Sequence, residues 1–185
     1  MTTVLIVDFG STGNEAEAIR QALELFGYCV VVKHIGRPKD FMDVLEGRVS
    51  FGENYIVLSC HGKCGEIEMP VLGKDIYDPF EPKGNFGHNE IVRYLKVKDK
   101  CIISLGCKTG TRDLIKAFCR NNNTYIAPVD YVDGNAALLF MIEFFYLLSR
   151  KNMNIKAACE QAHRFDEETM LFEFSSDDSQ GGNNL

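Results

Sequence analysis

Short apolar runs alternate along the chain with stretches that repeat apolar residues at helical spacing. The first run, VLIVDF at 4–9, has the length of a buried strand, and residues 14–26 then place apolar side chains on one helix face. Gly27 follows as a C-cap would. A β-branched run at 28–35 predicts a second strand, and Pro38 suits the start of a short helix. The first quarter of the sequence therefore predicts the order strand, helix, strand, helix.

The same alternation continues through the rest of the chain. Further apolar runs predict strands at 55–60, 100–107 and 123–128, and helical spacing recurs at 89–95, 112–120, 135–149 and 154–165. Between them, residues 65–87 carry several glycines and prolines and predict a hairpin or extended excursion. Such alternation predicts an α/β fold with a mostly parallel central sheet and helices on both faces.

The domain organisation follows from the length and from the ending of the chain. A chain of 185 residues is long enough for one domain with its own core, and no internal repeat divides it. We therefore expect a single domain over 1–173. The ending SSDDSQGGNNL offers no apolar anchor before its last residue, so we predict that residues 174–185 form a disordered tail.

Composition and charge narrow the class of protein. The chain is 45% hydrophobic and 25% charged, which is typical of a soluble domain, and no segment reaches the length of a membrane span. Its net charge is −6, without a stripe of Lys and Arg, so we expect neither nucleic acid nor a membrane as a partner. Seven cysteines without framework spacing, and a start that lacks the features of a signal peptide, favour a cytoplasmic protein with reduced thiols.

Candidate chemistry lies at the ends of two predicted strands. His61 and Gly62 directly follow the run at 55–60, and Cys107 closes the run at 100–107. Consecutive strands are often neighbours, so an imidazole and a thiol would flank one substrate bond at the same sheet edge. A neighbouring imidazolium or a helix N-terminus favours the nucleophilic thiolate, and a helix is predicted just beyond Cys107. The N–H groups of Gly62 and Cys107 would hold a developing oxyanion.

Other interpretations of these residues remain open. A cysteine at the end of an apolar run is often a core residue, and the pairing of Cys107 with His61 at matching strand ends, each beside a glycine, is what favours a nucleophile. Zinc binding through Cys60, His61 and Cys64 is disfavoured, because Cys60 should point away from His61 on an extended chain and no second ligand pair follows. We expect no metal site.

The first loop favours a different class of protein. GSTGN at 10–14 resembles the phosphate loop of flavodoxins, which bind FMN at a strand-to-helix turn. A flavodoxin-like electron-transfer protein is therefore an alternative, although the carboxylate of Glu15 would repel a phosphate. Capping of the first helix by Ser11, Thr12 or Asn14 explains the same loop without a ligand.

The blocks SCHG at 59–62 and SLGCKTG at 104–110 resemble the caspase-like cysteine peptidases, and among them the CHAT domains related to separase. Caspase signatures place the His about 50 residues before the Cys, and here 46 positions separate His61 from Cys107. The resemblance covers 55–163. It implies a three-layer caspase-like fold and a cysteine endopeptidase with a His61–Cys107 dyad that needs no cofactor. It also implies a protein or peptide substrate.

The chain also departs from the family pattern. Gly106 stands where Ala is usual, and Lys108 replaces an acidic residue or Gln after the nucleophile. This change alters the charge beside the thiol and makes Lys108 a candidate for substrate binding. Asp130 and Asp133 follow the fifth predicted strand and are candidates to line a pocket for a basic side chain. No sensor or repeat domain is recognisable, so we predict activation by a partner protein or by self-association. A non-catalytic caspase-like interaction module is the remaining alternative.

Overall fold

The structure is a computed structural model, and it describes residues 2–176. Its strands are β1 (Thr3–Asp8), β2 (Cys29–His34), β3 (Tyr55–Ser59), β4 (Gly62–Lys63), β5 (Glu66–Ile67), β6 (Cys101–Ser104), β7 (Thr124–Pro128) and β8 (Phe172–Ser176). Its α-helices are α1 (Glu15–Leu25), α2 (Pro38–Leu45), α3 (His88–Tyr94), α4 (Arg112–Phe118), α5 (Gly134–Lys151) and α6 (Ile155–Ala162). Short 3₁₀ turns lie at Arg120–Asn122 and Thr169–Leu171.

Six of these strands form the central sheet, in the order β2-β1-β3-β6-β7-β8. The first five are parallel to their neighbours, and β8 pairs antiparallel with β7. Parallel neighbours need crossover connections, and the helices supply them. The predicted α/β class and the mostly parallel sheet are confirmed.

Both faces of the sheet are covered. Leu5 and Val7 of β1 face a layer formed by α2, α3 and α4, while Val4 and Ile6 face α1, α5 and α6. This alternation follows from the two-residue period of a strand, and it explains why the strand reads as a continuous apolar run. Each such buried side chain contributes about 1.5–3 kcal/mol. The result is the three-layer arrangement that the sequence predicted.

The excursion after β3 begins as a hairpin. β4 and β5 pair across the turn at Cys64 and Gly65, and Ile67 then bridges to Phe86, which closes the base of a longer loop. The buried carboxylate of Glu81 anchors that loop by accepting from the guanidinium of Arg37 at the start of α2. The hairpin and the Arg37–Glu81 ion pair keep the excursion beside the sheet edge where β3 ends.

The C-terminal boundary differs from the prediction. Residues 174–176 were expected to belong to a disordered tail, but they complete β8 against β7. Phe172 anchors this strand, because its ring stacks on Phe140 of α5 with centroids 4.2 Å apart. The run FEFSS is short and is followed by polar residues, so its apolar pattern alone does not predict a strand. The rest of the predicted tail, 177–185, lies outside the described residues.

Two strands also end earlier than predicted. β3 ends at Ser59 and β6 at Ser104, so His61 and Cys107 lie in the loops that follow the strands. Helix α4 begins at Arg112, the predicted start, after a cap by the Thr111 side chain. None of the helices within residues 2–176 is long and apolar enough to cross a membrane.

Candidate active site

The candidate site lies at the edge of the sheet where the parallel strands end. The register sets Asp8 beside Ser59 and Leu58 beside Ser104, so β1, β3 and β6 end at similar heights. Four loops meet at this edge, at 9–14, 60–61, 105–111 and 129–133. Ligands and catalytic groups of open parallel sheets lie at this edge.

The loops that carry His61 and Cys107 touch through their backbones. A Cβ placed on Gly62 would lie 2.5 Å from the carbonyl oxygen of Cys107, and one on Gly106 would lie 3.1 Å from the nitrogen of Gly62. Both positions therefore need glycine because of the close approach of two chains. This contact places the residue after His61 directly against the residue before the candidate nucleophile.

Buried hydroxyl groups fix the loop that carries Cys107. The Thr109 hydroxyl donates to the carbonyl of Gly106 over 2.7 Å and lies 2.9 Å from the hydroxyl of Ser104. The Tyr125 hydroxyl on β7 donates to the carbonyl of Thr109 over 3.2 Å. Because these polar groups are buried, loss of any one of these hydrogen bonds would destabilise the folded chain. The loop is therefore rigid around Cys107.

The Cys107 thiol packs against the loop after β7. Its sulfur lies 3.5 Å from both the carbonyl oxygen and the nitrogen of Val132, so it can donate to the first or accept from the second. Cys107 is partly exposed. The N–H of Val132 suits a sulfur that carries negative charge. Val132 is a contact that the sequence did not reveal.

The other cysteines divide by burial. Cys60, Cys101, Cys119 and Cys159 are buried, Cys29 is partly buried, and Cys64 is exposed. Burial raises the pKa of Cys60 and that of Cys159 to about 12, which keeps these thiols protonated and unreactive. Cys60 lies in the core while His61 is exposed, and within residues 2–176 no three metal-binding side chains of His, Cys, Asp or Glu cluster.

The imidazole of His61 is oriented by the first loop. Its Nε2 lies 3.0 Å from the carbonyl oxygen of Ser11. A carbonyl can only accept, so Nε2 carries a hydrogen, and Nδ1 is the nitrogen left for proton exchange. His61 and Cys107 thus bond to different partners, and in the described part of the chain no hydrogen bond joins them.

A polar network behind this loop holds it against β3. The Ser59 hydroxyl donates to the Glu15 carboxylate over 2.7 Å and lies 2.8 Å from the Thr12 hydroxyl. Burial raises the pKa of the Glu15 carboxyl, while the Ser59 hydroxyl and the charge of His61 act against that rise. The loop GSTGN therefore serves to position His61. The sequence indicates this loop but not its connection to His61.

The predicted substrate-binding residues fall into two groups. The Lys108 ammonium lies 3.2 Å from the Asp130 carboxylate, directly beside Cys107. The N–H of Tyr131 and then Lys108 lower the pKa of the Asp130 carboxyl, and Asp130 raises the pKa of Lys108. Asp133 instead caps α5, because its carboxylate accepts from the N–H of Asn135. Only Lys108 and Asp130 come together.

Comparison with solved structures supports the architecture. The chain superposes on RgpB in a complex of its pro- and mature domains from Porphyromonas gingivalis with a TM-score of 0.56, at 13% identity, over 91% of this chain and 45% of that one. It matches the Arg-specific cysteine proteinase gingipain R with a TM-score of 0.53, at 16% identity, over 91% of this chain and 44% of that one.

A third structure agrees with these two. It is the secreted C11 cysteine protease iotapain from Bacteroides thetaiotaomicron, with a TM-score of 0.54, at 10% identity, over 89% of this chain and 62% of that one. The fold is caspase-like. At these identities the likeness concerns the fold alone, and the chain spans between about two fifths and three fifths of the three matched chains. No family model and no curated protein matches the sequence.

The backbone contact between the two loops predicts that Gly62→Ala is destabilising. The new methyl group would lie 2.5 Å from the Cys107 carbonyl oxygen, so one loop must move. We expect the free energy of unfolding to fall by about 1–3 kcal/mol in chemical denaturation. The matched control is Gly84→Ala, because a Cβ at Gly84 meets nothing within 4 Å. Equal stability of the two variants would contradict the close approach.

The raised pKa of Glu15 predicts a pH-dependent gain from Glu15→Gln. Because the folded carboxyl has a pKa above its ordinary value of 4.5, the folded state binds more protons than the unfolded state just above that pH, so wild-type stability falls as pH rises through this window. Gln cannot ionise, so the variant does not lose stability in this pH window, and its amide oxygen can still accept from the Ser59 hydroxyl. Denaturation at about pH 4 and about pH 7 should show the variant gaining relative to wild type at the higher pH. The exposed Glu167→Gln control should show no such gain.

Proposed function

We propose that this chain is a cysteine endopeptidase of the caspase type, with Cys107 as nucleophile and His61 as general acid and base. The observation that supports this most directly is the contact of Gly62 with Gly106 and Cys107, which brings the two reactive loops to one point of the sheet edge. The caspase-like fold, which the chain shares with cysteine proteases of known structure, adds support. The activity would need no cofactor, because thiol and imidazole supply all the groups that react.

The proposed reaction proceeds through a thioester. The Cys107 thiolate attacks the scissile carbonyl carbon, and the N–H groups of Gly62 and Cys107 stabilise the resulting oxyanion. His61 gives a proton to the leaving amine as the carbon–nitrogen bond breaks. His61 then takes a proton from water, which attacks the thioester and releases the acid and the thiol. The Ser11 carbonyl holds Nε2 of the ring, which leaves Nδ1 for these transfers.

The substrate, by this proposal, is a protein or peptide with a basic side chain at the cleavage site. The Asp130 carboxylate beside Cys107 supports a preference for a cation, since its side chain is 59% exposed. Gingipain R is described as Arg-specific. Asp133 is a weaker candidate for this role, because it caps α5. A closer relation to CHAT domains and a cytoplasmic location are also parts of the proposal.

The flavodoxin alternative finds less support at the first loop. The Thr12 hydroxyl is committed to Ser59, the Ser11 carbonyl to His61, and the Glu15 carboxylate lies behind the loop. A phosphate group at this loop would find the Thr12 hydroxyl already bonded to Ser59. It would also be repelled by the Glu15 carboxylate. Titration with FMN, followed by quenching of flavin fluorescence, should show no saturable binding.

Labelling with an electrophilic peptide probe tests the proposed dyad. We expect an acyloxymethyl ketone with Arg at its reactive end to modify Cys107, as mapped by mass spectrometry. His61→Ala should slow this labelling by at least about 100-fold, since general acid–base groups typically contribute that much. The matched control is His88→Ala, which removes a histidine on α3 that contacts the carbonyl of Asp113. A Cys64→Ser background removes the most exposed competing thiol.

Two outcomes would count against the peptidase. Equal labelling of Cys29 and Cys107 would show that accessibility alone decides reactivity. Unchanged labelling in folded His61→Ala would remove the imidazole from the mechanism. Either result favours the alternative of a non-catalytic interaction module.

We further propose that a partner protein or self-association activates the chain. RgpB is known as a complex of pro- and mature domains, which shows for that protein that a further domain binds the peptidase. The specific rate of Cys107 labelling should therefore rise with protein concentration or on addition of the partner. A constant, maximal rate at dilutions where the chain is a monomer by light scattering would contradict activation.

A further inference from the structure

The backbone conformation of Lys108 determines where its side chain lies. Its N–H donates to the carbonyl of Asp130 over 3.1 Å, and its own carbonyl accepts from the N–H of Gly65 over 3.0 Å. Its φ is +55°, a left-handed conformation that is unusual for a residue other than glycine. With the backbone held on both sides, the lysine side chain is aimed at the loop after β7. It lies next to the candidate nucleophile Cys107.

The groups around the Lys108 ammonium form a site that suits a cation. Its Nζ lies 3.2 Å from Oδ1 of Asp130 and 4.3 Å from the centroid of the Tyr131 ring. A carboxylate and an aromatic face are the two side-chain groups that attract ammonium or guanidinium groups most directly. The N–H of Tyr131 donates to the same Oδ1 over 2.8 Å and fixes the carboxylate. We call Asp130 and Tyr131 the cation site.

This cation site is open to solvent apart from the lysine itself. The Asp130 side chain is 59% exposed and Tyr131 is 58% exposed, whereas the Lys108 side chain is 34% exposed. Glu168 adds negative charge nearby, because its carboxylate accepts from the N–H of Asp133 over 2.7 Å. An acidic substrate group at this site would be repelled by these carboxylates. A basic group would meet only one competitor, the lysine.

We propose that Lys108 is an internal competitor, which occupies the site that binds the basic side chain of the substrate next to the scissile bond. This inference rests on the proposed peptidase function of the same site. Binding of a substrate Arg or Lys displaces the Lys108 ammonium from Asp130 and Tyr131 into solvent. Lys108 therefore lowers the affinity for basic substrates and has little effect on neutral ones. It sets specificity by competition and takes no part in bond cleavage.

Matched probes separate this competition from general reactivity. Acyloxymethyl ketones that end in Arg or in its neutral isostere citrulline are compared in wild type, Lys108→Gln and Asp130→Asn. We expect Lys108→Gln to raise the Arg-to-citrulline ratio of labelling rates by about 2- to 5-fold, the range that an exposed ion pair supplies. Asp130→Asn should lower that ratio. The control Lys63→Gln removes another exposed lysine, on β4, and should leave the ratio unchanged.

Three results would overturn the proposal. One is an unchanged ratio in Lys108→Gln. Another is a fall of that ratio, which would show that the lysine assists binding of the basic group. The third is faster labelling of wild type by a probe that ends in Asp than by the Arg probe, together with loss of that preference in Lys108→Gln. In that case Lys108 would recognise acidic substrates.

A second measurement does not depend on peptidase activity. Cys107 is modified in a Cys64→Ser background by cationic 2-aminoethyl methanethiosulfonate or by neutral methyl methanethiosulfonate, each of which forms a disulfide and releases methanesulfinate. Lys108→Gln should raise the cation-to-neutral ratio of rates about 2- to 5-fold. If this ratio changes while peptide probes fail to label Cys107, the cation site stands and the peptidase proposal falls. If it does not change, the competitor proposal falls whatever the peptide probes show.

Discussion

The close approach of Gly62 to Gly106 and Cys107 is the constraint on which the candidate site depends. Parallel pairing of β3 and β6 brings the two loops together, and the absence of side chains at two positions lets their backbones touch. His61 and Cys107 flank that contact. Their relative placement therefore comes from backbone packing, and no direct bond between imidazole and thiol is needed to maintain it.

Polar contacts from three further segments surround this centre. The first loop holds the imidazole through the Ser11 carbonyl, and the Ser59 and Glu15 side chains hold that loop in turn. On the other side, Val132 contacts the Cys107 sulfur from the loop after β7. Each partner comes from a different strand end. A caspase-like sheet thus brings the candidate residues and their contacts together from segments far apart in sequence.

The charges around the site are also arranged by tertiary contacts. A half-buried carboxylate lies behind His61, and a carboxylate paired with an ammonium lies beside Cys107. Asp133, which the sequence placed near the same pocket, is used to cap α5. Three acidic residues that the sequence singles out thus have three different roles. Their roles follow from the donors that each one meets in the folded chain.

The sequence by itself determined the α/β class, most strand and helix positions and the candidate pair His61 and Cys107, because continuous apolar runs and helical periodicity are local signals. It did not reveal β8, since a short strand such as FEFSS is stabilised by pairing with β7 and by Phe172 on Phe140. Nor did it reveal the carbonyl of Ser11 as the partner of His61, because every residue has a carbonyl and the two are 50 positions apart. The tertiary structure decided these contacts, since sheet order and register alone determine which distant backbone groups meet.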